Sequence, residues 1–210
     1  MIQRICRDFS AVLVVALCAC GGCAASTPSP ATAPGDDEPS IVVTPELGSP
    51  HVGDAAPDIV LVDQNGAPLK LSSLRGSVVM LALASSWCPY STAEQPHLAR
   101  LAQDYAARGV RSVAVVVADT EAGYQKYLAR VAMPFPVAHD AKDEIAAAYD
   151  PENAQSAFRD RRKVVVGSHL VLDREGRIRF FTLLDTTRFD AKLVHVRRAL
   201  DAALAEPGPT

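Results

Sequence analysis

From residue 51 onward, the apolar positions recur with periods that predict an ordered set of elements. IVLV at 59–62 is followed by the turn signal QNG at 64–66 and a second short apolar stretch, which predicts a hairpin of two short strands. SVVMLALAS at 77–85 is an unbroken apolar run of strand length, the pattern of a strand buried on both faces. Leu98, Leu101 and Tyr105 recur at helical spacing within 90–108, and Gly109 ends that helix. RSVAVVVAD at 111–119 predicts a second buried strand, EAGYQKYLARV at 121–131 a second amphipathic helix, MPFPVAHD at 133–140 a short extended piece, and KDEIAAAYD at 142–150 a short helix. VVVGSHLVLD at 164–173 predicts a strand, REG a turn and RIRFFTLL at 177–184 another strand. Phe189, Leu193, Val196 and Leu200 form the apolar stripe of a last helix. Strands that alternate with helices pair in parallel and carry helices on both faces, and the final hairpin adds an antiparallel edge. The expected architecture is α/β: a three-layer sandwich around a central mixed sheet of about five strands, preceded by a hairpin.

The first fifty residues have a different texture. Arg4 and Arg7 precede the apolar run AVLVVALCAC at 11–20. A run of that length falls short of the roughly twenty residues that span a bilayer, but it suits the core of a signal peptide. Its end, LCACGGCAAS, resembles a bacterial lipoprotein signal, with Leu17 and Ala19 before Cys20 as the lipid acceptor. Cys23 is a poorer alternative acceptor, and secretion without lipid or an uncleaved anchor also remain open. Residues 24–50 are rich in proline and acidic residues and contain no lysine or arginine. Such a segment buries too little apolar area to offset its ordering entropy and reads as a tether. The expected organisation is a signal over 1–19, an anchor and tether over 20–50, a folded domain over 51–205 and a tail over 206–210. The domain then lies in the cell envelope, outside the cytoplasm, held to a membrane by its lipid.

Charge and cysteine content narrow the chemistry. The formal net charge of −3 offers no basic field for nucleic acid. The five cysteines are Cys6, Cys18, Cys20, Cys23 and Cys88, so the folded domain carries a single thiol. No glycine-rich phosphate loop and no serine–histidine–aspartate order occurs. Neither a metal nor another cofactor is expected.

That thiol lies in SSWCPYSTAEQP at 85–96, between a predicted strand and a predicted helix. Pro89 suits the first helical turn, where a missing N–H costs nothing. A sulfur at that helix end faces unpaired amides and the positive end of the macrodipole, which favours thiolate, the nucleophilic form, over thiol. Trp87 is a packing lid or a substrate contact. Ser91 either hydrogen-bonds the thiolate or stands where a second cysteine is absent. With one thiol there is no dithiol–disulfide cycle inside the domain, and a mixed disulfide on Cys88 needs an external thiol to release it.

Together, VGDAAPDIVLVDQNG at 52–66, LSSLRGSVVMLALASSWCPYS at 71–91, Glu94 and Pro96, FPVAHD at 135–140 and LVLDREGRI at 170–178 resemble the thioredoxin-like superfamily. The branch is that of the TlpA/ResA oxidoreductases and the AhpC/TSA proteins, and the resemblance covers nearly all of 51–205. It implies a thiol–disulfide oxidoreductase with Cys88 as nucleophile and a protein disulfide or external thiol as partner. It also marks departures. The family's cis-proline beside the cysteine, or the arginine of many peroxiredoxins, is matched here by Gly167, while the polar segment 150–163 could bring Arg159, Arg161 or Arg162 to the site or lie in solvent. Ser85 holds the spacing of the peroxiredoxin hydroxyl that orients peroxide, although Leu81 stands where that family has proline. His169 follows Gly167 on the same strand, either facing Cys88 or satisfied within the sheet. The alternatives are a one-cysteine peroxidase that takes peroxide as substrate, and a non-catalytic envelope protein that kept the fold.

Overall fold

A computed structural model describes residues 50–149, 168–184 and 188–207. The predicted signal, the tether up to residue 49, Cys20 and Cys23 lie outside the described residues, as do Gly167, Arg159, Arg161, Arg162 and the end of the tail. No helix among the described residues is long and apolar enough to cross a membrane.

The hairpin forms where the pattern places it. β1 (Val60–Val62) and β2 (Pro68–Lys70) pair antiparallel, with Val60 opposite Lys70. Asp63 closes the turn by accepting the amides of Asn65 and Ala67 at 2.8 and 2.9 Å. Leu71–Leu74 then adds a 3-10 turn that the apolar pattern does not announce. The hairpin is a sheet of its own, separate from the central one.

The central sheet has the order β5-β4-β3-β6-β7. Its strands are β3 (Val78–Ala84), β4 (Val110–Val116), β5 (Val137–His139), β6 (Ser168–Leu172) and β7 (Ile178–Thr182). β3 pairs in parallel with β4 and β4 with β5, while β6 runs antiparallel to both β3 and β7. All seven residues of β3 are buried. Val79, Leu81 and Leu83 face one apolar cluster, with the hairpin and α3 (Glu144–Ala148). Val78, Met80, Ala82 and Ala84 face the other, with α1 (Pro89–Ala106), α2 (Glu121–Arg130) and α4 (Val194–Ala205). The unbroken apolar run is thus explained by burial on both faces of a central strand.

The last helix differs from its apolar stripe. It begins at Val194, so Phe189 lies outside it and Leu193 takes a left-handed turn at φ 56°. The carboxylate of Asp190 accepts the amides of Val194 and His195 at 3.0 and 2.8 Å. It satisfies two of the donors that a helix start leaves unpaired, and so fixes the first turn one turn later than the hydrophobic spacing alone suggests.

Candidate active site

The site forms where β3 and β4 end side by side. Their parallel pairing continues one residue past the end of β4, through a 2.9 Å bond from the Val117 amide to the carbonyl of Ala84, the last residue of β3. This brings the loop 85–88, which leads into α1, against the loop 117–120, which leads into α2. Cys88 is the N-cap residue of α1 in an extended conformation, followed by Pro89 in the first turn. Its thiol is free and only 4% exposed, within the apolar cluster that also holds Leu83, Val115 and Tyr149. The sulfur accepts no capping bond from the helix amides; the Thr92 amide bonds the Cys88 carbonyl instead, at 3.1 Å.

Four side chains lie near the cysteine in sequence. Trp87 is 45% exposed, with its only polar atom engaged: Nε1 donates to the Ala118 carbonyl at 2.8 Å. The indole thereby turns an apolar face outward. Pro89 is exposed beside it, and Tyr90 meets Phe189 edge to face at 4.9 Å between ring centres. Ser85 is fully buried, and its hydroxyl donates to Asp119 Oδ2 at 3.0 Å. That hydroxyl is therefore committed to a carboxylate in the resting protein.

Behind Cys88, the inner face of α1 is more polar than a core helix usually is. Ser91 is fully buried, and its Oγ has no hydrogen-bond partner. One turn on, Gln95 Nε2 donates to the Tyr127 carbonyl at 3.0 Å, while Gln95 Oε1 and the Tyr127 hydroxyl lie close but make no well-aligned hydrogen bond. Burial, with the Glu94 charge adding to it, pushes the Tyr127 phenol well above its ordinary range.

Glu94 and His169 form a buried pair. His169 lies opposite Ala82 in the sheet register, and thus on the face that carries α1. Its Nε2 is 3.3 Å from Glu94 Oε1, with both side chains at most 5% exposed. The approach is oblique: the two groups are close enough for strong charge attraction, but Nε2 makes no well-aligned hydrogen bond. Burial opposes a charge on the imidazole, yet the Glu94 carboxylate, with Asp190 beyond it, holds His169 above its ordinary value. His195 and Thr182 line the same narrow cavity. The structure thus gives His169 a partner on the buried side of α1.

Cys88, Trp87, Pro89, Ser91, Ser85, His169 and Gly167, the last outside the described residues, stand out in the sequence; Asp119, Ala118 and the pairing of Glu94 do not. Asp119 accepts both the Ser85 hydroxyl and the Ser86 amide. Ala118 sits at φ 50°, a left-handed conformation that a non-glycine residue seldom adopts. Thr120, which caps α2 through a 3.1 Å bond from the Gly123 amide, was the one local signal in this stretch. Among the described residues, no group of three or more His, Cys, Asp or Glu side chains is placed to hold a metal ion.

A single cysteine that opens a helix at the carboxyl ends of two parallel strands, in a sheet of this order, defines a thioredoxin-like protein. The chain belongs to the AhpC/TSA family, which it matches over residues 52–181. It is similar to the thiol-disulfide oxidoreductase ResA of Geobacillus kaustophilus, with 34% identity over 47% of this chain and 57% of that protein. The matched part is thus a little over half the length of that relative. Among solved structures, a Chlorobium tepidum protein assigned as the thiol:disulfide interchange protein DsbE is 26% identical, with a TM-score of 0.57 over 73% of this chain and 98% of its own. A second Chlorobium tepidum structure, a thiol:disulfide interchange protein of the thioredoxin family, is 21% identical with a TM-score of 0.54 over 72% and 96% of the two chains; it bears on the fold alone.

The raised His169 has a definite consequence for stability. Folded protein holds this proton more tightly than unfolded protein does, so the contribution is complete below the unfolded value of about 6.5 and is lost as pH rises through the higher folded value. Unfolding free energy measured in urea should therefore fall as pH rises above about 6.5, by at most about 1.4 kcal/mol per pH unit for one proton. His169→Gln should flatten that fall and lower stability at the acid end. An equal slope in both proteins would contradict the pairing.

Proposed function

We propose that this protein is a thiol–disulfide oxidoreductase that works with one thiol. Cys88 attacks one sulfur of a substrate disulfide. The substrate S–S bond breaks, a Cys88 mixed disulfide forms, and the other half leaves as a thiolate that takes up a proton. An external thiol then attacks the substrate sulfur of the mixed disulfide: the bond to Cys88 breaks, Cys88 leaves as its reduced thiolate, and the substrate sulfur is now bonded to the external thiol. A second external thiol frees it, the two external thiols ending as their own disulfide and so supplying the two electrons. The observation that carries this reading is the place of Cys88: a free sulfur at the start of α1, at the carboxyl ends of β3 and β4, with a serine one turn on. The likeness to thiol-disulfide oxidoreductases supports the reaction class. The exposed indole of Trp87 and the Pro89 ring give a polypeptide partner an apolar surface beside the sulfur. The peroxidase alternative draws on Ser85, and it gains nothing from a hydroxyl already bound to Asp119.

The sequence before residue 50 adds the setting. Cys20 is the proposed lipid acceptor, and the proline-rich segment after it is the proposed tether to an envelope membrane. Cys20→Ala should abolish labelling of the expressed protein by a radiolabelled fatty acid. Labelling that persists in this variant and vanishes with Cys23→Ala would move the anchor.

Two variants test the reaction. Cys88→Ser should abolish reduction of a test protein disulfide in the presence of glutathione. Ser91→Cys creates a C-x-x-C pair at the helix start, so the captured substrate should be released by the new thiol and the mixed disulfide should no longer accumulate. Unchanged turnover in Cys88→Ser contradicts the proposal outright. Equal accumulation in Ser91→Cys contradicts the role given to position 91.

A further inference from the structure

The three residues that precede Cys88 are all held by one neighbouring loop. The Ser85 hydroxyl and the Ser86 amide donate to the same oxygen, Asp119 Oδ2, at 3.0 and 2.6 Å. Trp87 Nε1 donates to the carbonyl of Ala118, the residue next door. The holding loop is itself fixed. Thr120 N–H donates to Asp119 Oδ1 at 2.9 Å, His139 Nε2 lies 3.0 Å from the Asp119 carbonyl, and the Ala118 amide donates to Asp143 Oδ1 at 3.1 Å. Ala118 keeps its left-handed backbone between these two attachments. Helix α2 closes the arrangement from the other side. A Cβ on Gly123 would lie 1.8 Å from Asp119 Oδ1 and 2.8 Å from Ser86 Oγ, so a side chain there would displace atoms that the hydrogen bonds hold in place.

We propose that Asp119 is a positioning residue for Cys88. Its carboxylate, with the Ala118 carbonyl, clamps residues 85–87, and the clamp sets the direction in which the sulfur meets an incoming disulfide. The inference rests on the reading of Cys88 given above. Exchange between sulfurs requires the attacking atom to lie in line with the bond that breaks. A displacement of about 1 Å in such a geometry costs on the order of a hundredfold in rate. Bonds to a carboxylate are stronger than neutral ones, which suits a clamp that must hold one loop against another across 33 residues of sequence. A purely structural role would lower stability and leave the folded molecules as fast as before. A positioning role slows molecules that are fully folded.

The test uses the full chain with Cys6, Cys18, Cys20 and Cys23 replaced by serine, so that Cys88 is the only thiol. Glutathione disulfide is the probe, the rate of mixed-disulfide formation is followed by intact mass, and the folded fraction by circular dichroism. The emission of Trp87, the only tryptophan, reports on the clamp directly. Asp119→Ala should react about 10 to 100 times more slowly at equal folded fraction, with a changed Trp87 emission. Asp119→Asn keeps one carbonyl oxygen for the Ser86 amide and should lie closer to the parent than to Asp119→Ala. Gly123→Ala, a change that raises helix propensity in an ordinary helix, should slow the reaction as well. Parent-like rates in folded Asp119→Ala and Gly123→Ala would overturn the proposal. Should Asp119→Ala fail to fold, Gly123→Ala decides in the same way. A parent protein that does not react with glutathione disulfide refutes the reading of Cys88 instead, and an unchanged Trp87 emission in the variants then refutes the clamp as well.

Discussion

β3 is hydrogen-bonded along both edges and covered on both faces, and everything around the cysteine is referred to it. One edge carries the parallel strand β4, the other the antiparallel strand β6. Because β3 and β4 run the same way and end in register, the loops that leave them emerge together, and the Val117 amide still bonds the carbonyl at the end of β3. A crevice at the carboxyl ends of parallel strands is where open α/β sheets place their chemistry. Here it holds a cysteine whose helix start is set by Pro89 and whose preceding loop is gripped by Ala118 and Asp119. Loss of the β3–β4 register would separate Cys88 from the residues that position it, even if α1 stayed intact.

The polar interior of α1 runs against the economy of an ordinary core. An unsatisfied buried polar atom costs on the order of 1–3 kcal/mol, and Ser91, Gln95 and Tyr127 each contribute one. The Glu94–His169 pair takes two ionisable side chains out of water, at a desolvation cost set against their attraction. Packing alone gives no account of polar groups gathered on the inner face of the one helix that carries the thiol. They lie between α1, α2 and the sheet, among side chains that apolar residues would replace at lower cost.

Much of the fold was legible in the sequence because its signals are local. The apolar run at 77–85, the helical spacing of Leu98, Leu101 and Tyr105, and the turn at 64–66 each depend on residues a few positions apart. The last helix was set one turn too early because the stripe runs through Phe189, whereas the start is decided by the carboxylate of Asp190 reaching amides four and five residues ahead. The cysteine was legible for the same local reason as the strands: W-C-P sits at a predicted strand-to-helix junction. Asp119 and the partner of His169 were not. Their contacts join residues 33 and 75 positions apart, and no spacing in one sequence encodes which buried carboxylate meets which amide or imidazole.

Cys88, the proposed nucleophile, has a thiol that is only 4% exposed. The most direct measurement compares the rate of mixed-disulfide formation with glutathione disulfide for the folded single-thiol chain and for a peptide of residues 85–92, at the same pH. The folded protein is expected to react faster than the peptide, because the fold holds the sulfur at the start of α1 behind the clamped loop 85–87. A folded protein slower than the peptide, with its reactivity restored on unfolding, would make Cys88 a buried core residue and contradict the account.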